Sequence, residues 1–127
     1  MKLRTTARSI RLRLSQTDVR QFAEIGTVEE TIAVNPETEE QFAFRLVRWE
    51  GQVPSVGFEK GVLTVSIPAK LADDWTSTDR VGIEGTHPNG TPDGLNVLIE
   101  KDFTCLQPRE GDDDKDTFPN PIIAHNC

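Results

Sequence analysis

Two cysteines and a histidine offer the sharpest chemistry in this chain. Cys105 and Cys127 are its only thiols, and His125 stands two residues before Cys127. Two thiolates and an imidazole make a soft three-ligand set suited to zinc or copper, with a carboxylate or water as fourth ligand. That geometry needs the end of the chain to fold back on the strand closing near Leu106. No Cys-x-x-Cys or His-x-x-x-His spacing supports it, so a metal site at Cys105, His125 and Cys127 stands against a reading as two unrelated thiols. A disulfide is the rival use of the same sulfurs. It would close a loop from Cys105 to Cys127 and contribute about 3 kcal/mol by chain entropy, although a cytoplasmic address disfavours it.

Catalytic signals are weaker. Cys105 has His87 and His125 as candidate bases, but an acidic neighbourhood raises a thiol's pKa and works against a reactive thiolate. Paired acids such as Glu29-Glu30 and Asp73-Asp74 say little in a chain holding 21 Asp and Glu. No glycine-rich segment has the spacing and following helix of a phosphate cradle. Asp112-Asp113-Asp114 with Asp116 lacks the loop glycine and closing glutamate of a calcium loop. Trp49 and Trp75 read as packing residues, and tyrosine, a favourite of binding interfaces, is absent. The chain therefore reads as a non-enzymatic binding or interaction domain, with a metal- or redox-responsive protein as the alternative. No cofactor is expected beyond that possible zinc or copper.

Charge carries a second signal. The chain of 127 residues has a formal net charge of −7, which argues against nucleic acid and anionic membrane as partners. Yet Lys2, Arg4, Arg8, Arg11, Arg13 and Arg20 crowd the first twenty residues against Asp18 alone. This basic region either pairs with acids elsewhere in the same protein or forms an anion-binding face, for which Arg11 and Arg13 are the candidate residues. A protein partner or self-association through a sheet edge is the expected mode of interaction. No apolar run approaches the ~20 residues of a membrane span. Met1–Arg8 also lacks the apolar core of a secretory signal, so the expected address is the cytoplasm.

These side chains must be positioned by strands for the most part. Ile10, Leu12 and Leu14 alternate with Arg11 and Arg13, the period of a strand with one buried face. Leu3 is out of phase with them, which requires a turn or bulge around Thr5–Arg8. Ser15 and Asp18 form a capping-box pattern, Leu14 can staple to Val19, and Gly26 supplies a left-handed stop. A helix follows with Val19, Phe22 and Ala23 as its buried stripe. Three hairpins are predicted next, over 27–34 with 41–48, 53–59 with 61–67, and 81–86 with 95–103. Pro68 opens a short helix through Trp75 between the second and third. The fold class is α+β, a mainly antiparallel sheet of about three hairpins plus an N-terminal strand, with two helices. No internal repeat is evident. Residues 1–106 form one domain. Residues 107–127 form an acidic, proline-containing tail expected to dock on it through Phe118-Pro119-Asn120-Pro121-Ile122-Ile123.

Four segments carry a resemblance: Ser9-Ile10-Arg11-Leu12-Arg13-Leu14, Val28-Glu29-Glu30-Thr31-Ile32, Glu100-Lys101-Asp102-Phe103-Thr104-Cys105-Leu106 and Phe118-Pro119-Asn120-Pro121. With these, nearly the whole chain resembles a group of small bacterial proteins, the domain-of-unknown-function family numbered 7009. The resemblance implies a bacterial, cytoplasmic, single-domain protein and assigns no functional residue.

Overall fold

The computed structural model describes residues 1–103 and 116–119. The phase break near the start of the chain is a tight turn at Ala7-Arg8. It joins β1 (Lys2–Thr6) to β2 (Ser9–Leu14) as an antiparallel hairpin with Leu3 opposite Leu12. α1 (Gln16–Ile25) begins on the capping box: Asp18 N donates to Ser15 Oγ at 3.2 Å, and Ser15 N donates to Asp18 Oδ2 at 3.1 Å. It ends on Gly26, whose φ of 88° suits a residue without Cβ and whose N–H caps Phe22 O at 2.8 Å. Only Val19 and Phe22 of this helix are buried. Ala23 is exposed rather than part of the stripe, because it is turned about 100° from Phe22 on a helix that meets the core along a narrow edge.

The remaining hairpins pair as the alternation requires. β3 (Thr27–Asn35) runs antiparallel to β4 (Glu40–Trp49). β5 (Ser55–Glu59) runs antiparallel to β6 (Val62–Pro68) across Lys60-Gly61, both at positive φ as a two-residue hairpin turn prefers. α2 (Ala69–Ser77) reaches two residues past Trp75, and Pro68 caps it rather than opening it. β7 (Gly82–His87) pairs antiparallel with β8 (Leu95–Lys101). The described residues thus contain four hairpins, the N-terminal strand being half of the first.

Hairpins combine in pairs. One sheet has the order β1-β2-β8-β7 and the other β3-β4-β6-β5. In each, the second strands of two hairpins lie parallel at the centre, β2 beside β8 and β4 beside β6. Four of the six pairings are antiparallel, so the sheets are mixed but mainly antiparallel.

This arrangement hides a repeat. The chain reads β-β-α-β-β twice, over 2–49 and 55–101, and exchanging the two units turns one sheet into the other. The match holds residue by residue. Ser9 pairs with Asn96 as Val62 pairs with Ala43, and Leu14 pairs with Lys101 as Ile67 pairs with Arg48. Asn96 N donates to Arg8 O at 2.9 Å, as Ala43 N donates to Gly61 O at 2.8 Å. Lys101 N donates to Val81 O at 3.0 Å, as Arg48 N donates to Gly26 O at 2.9 Å. The spacing is 53 residues except at β7, where Ile83 opposes Ile99 as Val28 opposes Leu46, two residues further on.

A single core fills the space between the sheets. Eight of its fully buried side chains form four equivalent couples: Leu12 and Val65, Leu14 and Ile67, Leu46 and Ile99, Phe22 and Trp75. Each removes enough apolar surface from water to contribute about 1.5–3 kcal/mol. Phe22 and Trp75 meet edge to face with centroids 6.2 Å apart, the expected meeting of equivalent residues beside a two-fold axis. Two corners close the sandwich in the same equivalent way. At one, Glu30 Oε1 accepts from the Met1 amino group at 2.9 Å. At the other, Gly85 leaves space that Pro54 fills.

Beyond the strands, Asp116–Pro119 packs at the junction of β2 and α1. Gln16 N donates to Asp116 O at 3.0 Å, Phe118 N donates to Asp102 O at 2.8 Å, and the rings of Phe103 and Phe118 lie 5.8 Å apart. No helix among the described residues is long and apolar enough to cross a membrane.

Candidate anion-binding face

Alternation along β1 and β2 sends Leu3, Ile10, Leu12 and Leu14 inward and therefore Lys2, Arg4, Arg11 and Arg13 outward. Hairpin register then sets Lys2 opposite Arg13 and Arg4 opposite Arg11. Like charges directly opposed across a sheet are unfavourable by a few tenths of a kcal/mol to about 1 kcal/mol. The fold carries two such pairs side by side. Neither β1 nor β2 contains an acid to relieve them.

Relief comes from β8. Glu100, beside Arg13 in the parallel register, accepts from Arg13 Nε at 3.0 Å and also from Arg11 through the same Oε1. Its side chain is only 12% exposed, so the carboxylate is held in place between two guanidinium groups. Lys2 Nζ lies 2.8 Å from the buried Asp102 carboxylate. Arg4 is exposed and has no ion-pair partner among the described residues. Among the described residues, Glu100 and Asp102 thus pair with Arg11, Arg13 and Lys2. Lys2, Leu3, Arg4, Arg11 and Arg13 line a shallow cleft of about 210 Å³. A neighbouring hollow of about 320 Å³ shares Lys2 and Arg13 and is walled by Asp18, Asp102 and Asp116.

The equivalent face of the second sheet is an internal comparison. There Ser55 opposes Ser66 and Gly57 opposes Thr64, in the places of Lys2 with Arg13 and Arg4 with Arg11. Small neutral side chains at these four positions build the same pair of strands, so the fold itself does not require the cations.

Of the residues singled out in the sequence, Arg11 and Arg13 come together on this face. Lys2, Arg4 and Glu100 belong with them but were not singled out. The signal for Lys2 and Arg4 was the turn at Ala7-Arg8, which fixes which cations oppose one another; Glu100 needed the parallel pairing of β2 with β8. Cys105, His125 and Cys127 lie outside the described residues, as does Asp112-Asp113-Asp114. Among the described residues no group of three or more His, Cys, Asp or Glu is placed to hold a metal. His87 serves the seam between the sheets: its Nδ1 accepts from Val56 N at 3.1 Å. Trp75 is fully buried and donates Nε1–H to Val81 O at 3.0 Å, while Trp49 stays 36% exposed.

Comparison with curated proteins and with solved structures gave no match. A family model does match residues 1–122, nearly the whole chain and both β-β-α-β-β units, and the chain belongs to that family, the family of unknown function DUF7009.

Proposed function

We propose that this chain is a small non-enzymatic binding domain that docks an acidic segment of a partner protein on the outer face of β1 and β2. One observation carries the reading: the same scaffold appears twice in the molecule, and only in the first copy do cations oppose one another across the outer pair of strands. Their layout favours a protein segment over a long polyanion. Along each strand the cations recur every second residue, about 7 Å apart, and they face each other at about 5 Å across the strands. An extended segment with carboxylates at alternate positions repeats at the same interval. A long polyanion would run beyond the four cations onto a chain that is acidic overall.

Replacing Arg4 by Gly and Arg11 by Thr copies the second sheet's residues into the first and tests the proposal. The double variant should keep the circular-dichroism spectrum of the native chain. Its affinity for an alternating Glu-Ser peptide, read by calorimetry at low salt, should fall at least roughly tenfold, because guanidinium–carboxylate contacts dominate such docking. A native chain that ignores the peptide, or a folded variant that binds it equally well, overturns the assignment.

A further inference from the structure

Neither unit can complete a sheet with its own strands. β2 needs β8 and β6 needs β4, so each sheet is half one unit and half the other. The surface between units is therefore the centre of both sheets together with the contact of α1 with α2. Fully buried side chains from both units line it: Leu12, Leu14 and Leu46 from the first, Val65, Ile67 and Ile99 from the second. Two intertwined subunits of a homodimer have this anatomy: self-complementary contact, equivalent residues meeting on the axis, and an interior resembling a core cut in half. A single linker, Glu50–Pro54, makes the two units one chain.

We infer that the partner this fold is built to accept at its inter-unit surface is a second copy of the chain. The first unit of one molecule completes the second unit of another by exchange across the linker. The exchanged sheets contain the same hydrogen bonds and core couples as the closed monomer, so the linker conformation and the chain concentration decide between the two forms. The linker is the only segment that must change path. The Trp49 ring lies over Gly51, where a Cβ would displace the indole.

Two full-length variants test this. Leu46→Asp buries a charge in the first unit, and Ile99→Asp does the same at the equivalent place in the second. Neither chain alone should accumulate as soluble protein. Co-expressed with different tags, they should purify together as a one-to-one complex, since one chain supplies an intact first unit and the other an intact second. Pairing Leu12→Asp with Leu46→Asp should rescue nothing, because both defects lie in the first unit. Failure of the first pair to co-purify, or equal rescue by the second pair, overturns the inference.

A shortened linker gives an independent reading. β4 and β5 flank β6 with Trp49 opposite Pro68 and Ser55 opposite Ser66, so their ends are about 12 Å apart. Deleting Glu50–Val53 leaves one residue between Trp49 and Ser55, which spans at most about 7.6 Å. That chain should fold only as a dimer, with twice the monomer mass by light scattering. A folded monomer would contradict exchange.

Discussion

At the scale of single residues, Glu100 is the pivot of the basic face. One carboxylate oxygen serves Arg11 and Arg13 together, while those arginines face Arg4 and Lys2 across the hairpin. Removing its charge with Glu100→Gln retains an acceptor but leaves four cations with less relief. We expect a stability loss of about 1 kcal/mol in urea unfolding. We also expect a several-fold gain in affinity for an acidic peptide, because the resident competitor has gone. A variant less stable yet no better at binding would place Glu100 in the scaffold alone. The sequence showed the outward direction of Arg11 and Arg13 through plain alternation. It could not show Glu100 beside them, because 87 residues separate Arg13 from its partner and periodicity reports the face of a side chain rather than its neighbour.

At the scale of elements, the N-terminus of α1 holds two layers of capping. Ser15 and Asp18 close the helix internally, and the Asp116 carboxylate adds contacts from a segment far along the chain. Hydrogen bonds from the Thr17 hydroxyl and then Ser15 hold the Asp116 carboxyl below its ordinary range. A carboxyl depressed in the folded state stabilises it above the unfolded pKa, near 3.9, and loses that contribution as pH falls through the lower folded value. Asp116→Asn should therefore melt below the native chain at neutral pH, and the gap should close as the buffer is taken below about pH 4. A gap independent of pH would assign the effect to packing. The internal cap was legible in Ser15 and Asp18 because a capping box is local. The outer one was not, for an acid in an acidic run carries no mark of its destination. Ala23 misled for a related reason: apolar character at helical spacing does not reveal how narrow the buried stripe is.

At the scale of the whole molecule, three of the four hairpins among the described residues were legible from their turns and alternation, and the first was legible only as a strand with a turn or bulge near Thr5–Arg8. The duplication was not. Equivalent positions share apolar character without identity, as in Leu12 with Val65 or Phe22 with Trp75, so the repeat survives in pairing register and not in letters. The same topology binds the ends of the chain into one cooperative structure. β2 finds its central neighbour only in β8, and the first sheet stays open until the last strand arrives. A chain ending before Leu95 should consequently lack a cooperative melt by circular dichroism, and the full chain should refold in milliseconds to seconds, as long-range strand pairing dictates. A truncated chain with a sharp transition would show that the second sheet stands alone.

The two tryptophans divide this molecule optically. Trp75 is sealed in the core and reports on whether the sandwich exists at all, in one molecule or in two. Trp49 rests on Gly51 at the linker and reports on the route the backbone takes between units. A red shift confined to Trp49, visible when Trp75 is replaced by Phe, would reveal rerouting of the connection while the interior stays dry. The native chain thus carries its own dye at the point where one molecule becomes two.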